Sequence, residues 1–309
     1  MIKTITILAF LITPITINSQ TIYSKAYGNP KNEPIIYLHG GPGYNSIGFE
    51  LTTAKKMSKN GFYVVVYDRR GEGRSKDKNA KFTFQETFKD LTIIYKKYNL
   101  KKATLLGHSF GGIIGTLFAE KYPEKAKKLI LVAAPLSMQE TFLNIIKTSK
   151  SMYIKNGDKT NLKYIEMLEK MDTTSIAYSS YSFGHAMQNG FYTPKTPSKE
   201  ALAIYSKLKT NASFIKDGTT MTMEAPRGFL KNENYTSIDL TLSLKKIIKN
   251  NTQIFGLYGK EDGLYSKEQV LKIKNILPLH HFKYMDNCSH NVFIDQQDKL
   301  ITSLKQWLL

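Results

Sequence analysis

The sequence predicts an α/β fold with a mostly parallel sheet, helices on both faces and an inserted, mainly helical cap. Three observations predict this fold. Short apolar runs that suit buried strands alternate with segments of helical periodicity. The runs are continuously apolar, as expected for parallel strands that are covered on both faces. The alternation stops near residue 136 and resumes near residue 241, so the segment between them is an insertion between two strands of one sheet.

Seven apolar runs predict the strands of this sheet, and four periodic segments predict helices that cover it. In chain order the strands are expected at residues 21–27, 34–38, 62–67, 103–106, 129–133, 254–258 and 282–285. The helices are expected at residues 84–98, 113–122, 267–276 and 296–308. Each of these helices follows a strand, which is the order that a parallel sheet requires of its crossovers.

The length of 309 residues suits one large α/β domain with an insertion. We expect the core in two parts, residues 20–136 and 241–309, and the cap at residues 137–240. The cap segment contains many Tyr, Met, Lys, Ser and Thr residues and is predicted to be mainly helical with loops.

The first nineteen residues, MIKTITILAFLITPITINS, have the pattern of a secretory signal peptide. One lysine precedes an apolar run at residues 5–12, and Pro14 and small polar residues follow it. The run is too short and too broken to span a bilayer stably, and no later run suits a membrane span. We therefore expect cleavage near residue 19 and a periplasmic or secreted protein. A buried first strand is the alternative for residues 5–12.

The charge of +19 comes almost entirely from lysine. Arginine is the usual reader of phosphate and guanine, and only four arginines are present. The lysines are scattered along the chain, and no recognition motif accompanies them, so we expect no nucleic-acid partner. The single cysteine excludes an intramolecular disulfide and a multi-cysteine zinc site.

The motif GHSFG at residues 107–111 predicts a nucleophilic serine, Ser109. It fits G-x-S-x-G, and a predicted strand precedes it and a predicted helix follows it. This is the strand–turn–helix context that a nucleophile elbow requires, with small residues where the chain turns sharply.

The general base is predicted to be His290, and its acid partner Asp262. His290 follows the last predicted strand, whereas His280 and His281 precede that strand and would lie at the opposite edge of the sheet. Asp262 follows the strand before it, and its neighbour Glu261 is the main rival. The loop after residues 129–133 contains no carboxylate, which removes the other usual position for the acid.

The glycine-rich segment HGGPG at residues 39–43 is predicted to form one side of an oxyanion hole. Glycines allow backbone N–H groups to approach a substrate carbonyl closely. The two donors are expected to be the amides of Gly41 and of Phe110, the residue after the nucleophile.

These segments together resemble an α/β-hydrolase of the proline iminopeptidase type, a family of serine aminopeptidases. The resemblance rests on HGGPG at 39–43, DRRGEGRS at 68–75, GHSFGG at 107–112, GKED at 259–262 and His290, and it covers about two-thirds of the chain. HGGPG is the most discriminating of these segments. Arg69 stands where members of the family commonly carry glutamine, and Ser289 stands where they carry glycine.

The resemblance implies the α/β-hydrolase fold and the release of an N-terminal residue, often proline, from short peptides. It also implies carboxylates in the cap that hold the free α-amine of the substrate. The candidates are Glu200, Glu224 and Glu233, each of which is otherwise expected to be a solvated surface carboxylate. Five aromatic residues either line the pocket or pack within the cap: Tyr178, Tyr181, Phe183, Phe191 and Tyr192.

The predicted function is that of a serine hydrolase with a Ser-His-Asp triad, acting on a short peptide or another small molecule. An aminopeptidase of the proline iminopeptidase type is the first choice, and a carboxylesterase or lipase for small esters is the alternative. A non-catalytic binding protein on the same fold is a third possibility. We expect no cofactor and no metal, because no metal-ligand spacing is present and triad chemistry needs neither.

Overall fold

The computed structural model of the chain describes residues 22–309. The predicted signal peptide, residues 1–19, therefore lies outside the described residues. The described part forms a seven-stranded sheet in the order β1-β3-β2-β4-β5-β6-β7. The strands are β1 Ser24–Tyr27, β2 Glu33–Leu38, β3 Phe62–Tyr67, β4 Ala103–His108, β5 Ala126–Val132, β6 Gln253–Gly259 and β7 Phe282–Met285. β1 pairs antiparallel with β3, and the other pairs are parallel.

The predicted mostly parallel α/β fold with helices on both faces is confirmed. Strands β3 and β7 have the predicted bounds, and the other strands differ from prediction by a few residues at their ends. The central strands are continuously apolar because they are covered on both faces, and every residue of β3 and β4 is buried.

Thirteen α-helices lie within residues 22–309. They are α1 Ile47–Phe49, α2 Lys55–Ser58, α3 Phe84–Lys97, α4 Phe110–Lys121, α5 Met138–Asn156, α6 Lys159–Leu168, α7 Ile176–Gln188, α8 Lys199–Thr210, α9 Glu224–Glu233, α10 Thr241–Lys249, α11 Lys267–Ile276, α12 Val292–Asp295 and α13 Gln297–Leu308. Short π-helical turns occupy Glu50–Ala54 and Phe214–Gly218, and 3₁₀ turns occupy Tyr235–Ser237 and Leu279–His281.

Local sequence signals explain where many of these helices begin. The residue before each of six helices is a Ser, Thr or Asp whose side chain accepts a hydrogen bond from the N–H three residues later. These capping residues are Thr83, Ser137, Asp158, Ser175, Ser198 and Ser266. Each cap satisfies an N–H group that has no partner within its helix.

Three helical segments of the core are absent from the sequence-based prediction. The first runs from α1 through a π-turn to α2 and fills the crossover between β2 and β3. The second is the four-residue α12, which follows His290. The third is α10, Thr241–Lys249, at the start of the second part of the core. Of the three, the four-residue α12 is too short for helical periodicity to be visible in the sequence. Helix α4 begins at Phe110, three residues earlier than predicted, because its glycines hide the helical pattern.

The predicted insertion leaves and rejoins the sheet at one narrow neck. Ser137 and Asp239 form an isolated antiparallel bridge. The N–H of Met138 donates to the carbonyl of Ile238 (3.0 Å), and the N–H of Leu240 donates to the carbonyl of Leu136 (2.8 Å). Helices α5 to α9 lie between these points, whereas α10 packs on α4 and β6. We keep residues 137–240 as the proposed bounds of the cap.

No helix between residues 22 and 309 is both long and apolar enough to cross a membrane.

Candidate active site

Ser109 occupies the sharp turn between β4 and α4, with φ 53° and ψ −124°. A positive φ is unusual for a residue with a side chain. The turn has room only for glycine at the two flanking positions that the motif prescribes. A Cβ at Gly107 would lie 2.5 Å from the carbonyl oxygen of Gly111, and a Cβ at Gly111 would lie 2.0 Å from that of Leu38. The crowding explains the G-x-S-x-G spacing.

Asp262 and His290 are in direct contact, as the prediction requires. Asp262 Oδ2 lies 2.9 Å from His290 Nδ1, and both residues are buried. The other oxygen, Oδ1, accepts a hydrogen bond from the Leu264 N–H at 3.0 Å, which fixes the carboxylate. The rival Glu261 faces away, since its Oε2 accepts from the Lys195 N–H at 2.7 Å.

The residue before the nucleophile also meets the predicted base. The His108 Nε2–H donates to the backbone carbonyl of His290 at 3.0 Å, and the two rings are 4.9 Å apart. Burial, aided by the nearby His290, lowers the pKa of His108 to about 3, so this imidazole is neutral at physiological pH. This contact ties the His290 loop to the elbow that carries Ser109.

Tyr265 is a residue of the site that sequence reasoning missed. Its hydroxyl donates to the carbonyl of Ala133 at 2.8 Å and is also within hydrogen-bonding reach of the Ser109 side chain. Burial and the charge of Asp262 raise its pKa well above the usual value for a tyrosine, so the hydroxyl keeps its proton. Its place on the Asp262 loop was the available signal, but no motif marks a tyrosine there.

The predicted oxyanion-hole residues lie beside the nucleophile. Gly41 and Phe110 line the same pocket as Ser109. The glycine segment approaches the elbow closely, because a Cβ added at Gly40 would lie 3.3 Å from the Ser109 Cβ. The amides of Gly41 and Phe110 stay our predicted donors to a substrate oxygen.

Arg69 and Glu72 hold this glycine segment by hydrogen bonds, a role absent from the sequence-based prediction. The Arg69 guanidinium donates to the carbonyls of His39 and Gly40 and lies 2.5 Å from Glu72 Oε2. Glu72 accepts a short hydrogen bond from the Gly43 N–H. Burial raises the pKa of Glu72, while the charge of Arg69 and the Gly43 N–H counteract that rise. The pair fixes the backbone on which Gly41 lies.

The pocket above Ser109 is small and uncharged. Its cavity volume is about 20 Å³, roughly the space for one water molecule. The rest of its lining comes from the cap and from two loops: Pro135, Met138, Thr141, Phe183, Leu264 and Tyr265. The described lining residues therefore suit an apolar group next to the serine.

The three cap carboxylates proposed to hold an amine do not line this pocket. Glu200 and Glu224 are exposed, in the first turns of α8 and α9. Glu233 lies at the end of α9, and its Oε1 accepts a hydrogen bond from the Phe84 N–H at 2.7 Å. Their role in binding an amine stays a prediction.

Phe183 and Tyr178 take the two roles expected of the cap aromatic residues, and Tyr181 takes neither. Phe183 lines the pocket, and the ring of Tyr192 packs 5.2 Å from that of His290. Tyr178 packs on Phe142 inside the cap, whereas Tyr181 is 61% exposed.

Within residues 22–309, no group of three or more histidine, cysteine or carboxylate side chains is arranged to hold a metal ion.

Comparisons with known proteins agree with this architecture. A family model described as the alpha/beta hydrolase fold matches residues 33–154. The chain is 26% identical over 299 residues to a proline iminopeptidase from Lactobacillus delbrueckii subsp. bulgaricus, covering 94% of this chain and 95% of that protein.

Two solved structures show the same fold. A proline iminopeptidase-related protein from Thermus thermophilus superposes with a TM-score of 0.63 at 20% identity, covering 93% and 94% of the two chains. A structure from a study of carboxylesterases of Nitrososphaera gargenis superposes with a TM-score of 0.61 at 18% identity, covering 94% and 96%.

Proposed function

We propose that this chain, which has the α/β-hydrolase fold and is similar to proline iminopeptidases, is a serine hydrolase that releases N-terminal residues from short peptides. One observation carries the proposal. Ser109, Gly41 and Phe110 line a single pocket together with Leu264 and Tyr265. These last two residues meet the Asp262–His290 pair, since the Leu264 N–H donates to Asp262 and the Tyr265 ring lies 5.9 Å from that of His290. The serine, the two oxyanion-hole residues and the Asp262–His290 pair are the parts that acyl transfer through a serine requires.

The reaction begins when His290 takes the proton from Ser109 Oγ as this oxygen attacks the acyl carbonyl of the substrate. The new C–O bond forms as the carbonyl electrons move to oxygen, where the amides of Gly41 and Phe110 stabilise the charge. His290 then gives its proton to the leaving amine, and the C–N bond breaks. A water molecule, deprotonated by His290, hydrolyses the acyl-enzyme and restores Ser109.

Asp262 keeps one orientation of the His290 ring throughout this sequence. Because its carboxylate faces Nδ1, the other ring nitrogen, Nε2, is left for proton exchange with the serine and the leaving group. The negative charge of Asp262 also stabilises the imidazolium that forms in each half-reaction.

A carboxylesterase for small esters is the second candidate, and the pocket favours it. A free α-amine is best held by a carboxylate, but the described residues that line the pocket carry no charge. Two of the three cap glutamates proposed for this role are exposed, and the third bonds to the backbone of α3. A non-catalytic binding protein is disfavoured, because the sequence retains all five predicted site elements rather than a degenerate triad.

One substrate panel separates these functions. Purified protein is assayed on prolyl, alanyl and other aminoacyl β-naphthylamides and on short-chain p-nitrophenyl esters, beside Ser109→Ala. A fluorophosphonate probe reports the reactivity of the serine independently of the substrate. We expect arylamide turnover and labelling in the wild type and neither in Ser109→Ala.

Each alternative has its own outcome in this panel. Turnover of esters without arylamides would reject the peptidase and support the esterase. An absence of both turnover and Ser109-dependent labelling would reject an enzyme of either kind.

A further inference from the structure

The residue before His290 joins the catalytic loop to the cap. The Ser289 hydroxyl lies 2.8 Å from the carbonyl of Phe191, in the cap, and 3.1 Å from that of Glu261, in the acid loop. Ser289 is completely buried. Its single proton bridges two carbonyls, so this side chain connects the cap, the acid loop and the base loop at one point.

A buried carboxylate, Asp295, makes a second connection between the cap and the loop that carries His290. Asp295, in α12, is 2% exposed, and its Oδ2 accepts a hydrogen bond from the Ser289 N–H at 2.9 Å. Its Oδ1 accepts a hydrogen bond from the Tyr205 hydroxyl at 2.8 Å. Because Tyr205 belongs to cap helix α8, Asp295 links that helix to the backbone adjacent to His290.

Further contacts place the same part of the cap over the base. The Tyr192 ring packs edge-on against His290 at 5.2 Å. The Asn291 amide donates to the carbonyl of Tyr192 at 3.4 Å. The residues on both sides of His290 are therefore held by the cap, and the imidazole itself touches it.

We propose that Ser289 and Asp295 are positioning residues that make the placement of His290 depend on the position of the cap. The proposal rests on the proposed function, which assigns His290 the role of base. The cavity above Ser109 has room for about one water molecule, so the cap must shift to admit a substrate. The contacts of Ser289 and Asp295 are the ones that reset the base when the cap returns over a bound substrate.

The test uses variants that remove one cap contact while leaving His290, Asp262 and Ser109 intact. Tyr205→Phe deletes the hydroxyl that meets Asp295, and Ser289→Ala deletes the hydroxyl that meets Phe191. Tyr153→Phe is the matched control, because Tyr153 is buried and its hydroxyl bonds to His185 and Asn189 within the cap. The readouts are the rate of Ser109 labelling by a fluorophosphonate, kcat and KM on the best substrate of the panel, and the thermal midpoint.

We expect the labelling rate and kcat to fall about 10- to 100-fold in Tyr205→Phe and in Ser289→Ala, because small displacements of a catalytic group cost this much. KM should change less than kcat, and the control should match the wild type. The double variant should lose less than the product of the two single losses, because both act through one loop.

Two results would overturn the proposal. The first is a labelling rate within about twofold of the wild type in both single variants, well below the expected loss. The second is a loss that the Tyr153→Phe control shares, or that appears only together with a lowered thermal midpoint, which indicates a structural role. A wild type that is not labelled at Ser109 rejects the proposed function itself, so the two failures are distinguishable.

Discussion

At the scale of single residues, Asp262 and Glu261 are adjacent carboxylates with different surroundings. Asp262 is short, turns inward and meets both the Leu264 N–H and His290. Glu261 extends toward the cap and accepts from the Lys195 N–H. The direction of each side chain, rather than its chemistry, gives only one of them access to the imidazole.

Substitution of these two neighbours should have very different consequences. Asp262→Asn removes the charge that orients and stabilises the imidazole, and we expect kcat to fall about 10⁴-fold. Glu261→Gln keeps the shape of the side chain and an oxygen that can accept from the Lys195 N–H, so kcat should change little. Steady-state kinetics on one substrate measures both variants. Equal losses in the two variants would contradict the assignment of the acid.

The buried carboxylate of Asp295 should make stability depend on pH. Burial raises its pKa from 3.8 to about 6, and the Ser289 N–H, Tyr205 and His290 counteract this rise while Asp262 adds to it. The folded state therefore holds this proton more tightly than the unfolded state, and the stabilisation is lost as pH rises from about 4 to 6.

The variant Asp295→Asn replaces the carboxyl group with an amide, which does not titrate, so its stability lacks this dependence on pH. The stability of the wild type relative to this variant should fall by about 1–3 kcal/mol between pH 4 and pH 7. Urea unfolding of both proteins across this range measures the difference, and a difference that rises with pH would contradict the buried carboxylate.

At the scale of elements, three backbone segments approach one another so closely at the nucleophile elbow that only glycine fits between them. The strand β4, the helix α4 and the end of β2 meet at Ser109, and Gly111 sits against the Leu38 carbonyl. The same closeness brings the glycine segment after β2 to the nucleophile. The motif is therefore a packing requirement as much as a catalytic one.

Gly111→Ala should destabilise the protein by about 3 kcal/mol or more, because the new methyl group would overlap the backbone of β2. Gly184→Ala is the matched control. Gly184 lies in helix α7, is exposed and has open space at its Cβ position, so alanine should add about 0.5–1 kcal/mol of stability. Thermal unfolding of both variants measures the difference. A Gly111→Ala protein as stable as the wild type would contradict the crowding at the elbow.

At the scale of the whole molecule, the sheet brings together groups that are far apart in the chain. The segments that follow β2, β4, β6 and β7 carry the glycine segment, Ser109, Asp262 and His290. Because these strands are parallel, the segments all leave the same edge of the sheet. The cap then covers that edge from a neck at residues 136–138 and 238–240.

The arginines and the lysines of the molecule have different surroundings. Three of the four arginines form buried or half-buried pairs with carboxylates: Arg69 with Glu72, Arg70 with Asp90 and Arg74 with Asp68. They brace the loop after β3 and are unavailable to a polyanion. The excess positive charge is carried by lysines, as composition indicated.

Export is the remaining proposal at this scale. If residues 1–19 act as a signal peptide, the protein recovered from its native cells should begin near Gln20 and be found outside the cytoplasm. N-terminal sequencing after cell fractionation measures both properties. A protein that begins at Met1 in the cytoplasmic fraction would contradict export.

The sequence alone determined the sheet, most of its helices and the candidate catalytic residues. These features depend on local patterns: apolar runs of strand length, helical periodicity and glycines next to a serine. The fold is confirmed, and the structure brings Asp262 to His290 and Ser109 to Gly41 and Phe110.

Only the tertiary structure decided the surroundings of those residues. Tyr265, Glu72 and Asp295 act through neighbours that are distant in the chain, so no local pattern marks them. The cap is the extreme case, because the orientation of its helices over the pocket follows from packing between segments far apart in sequence. A motif can be recognised in the sequence where function requires a fixed local backbone. Contacts between distant segments are set by tertiary packing and can be identified only in the folded structure.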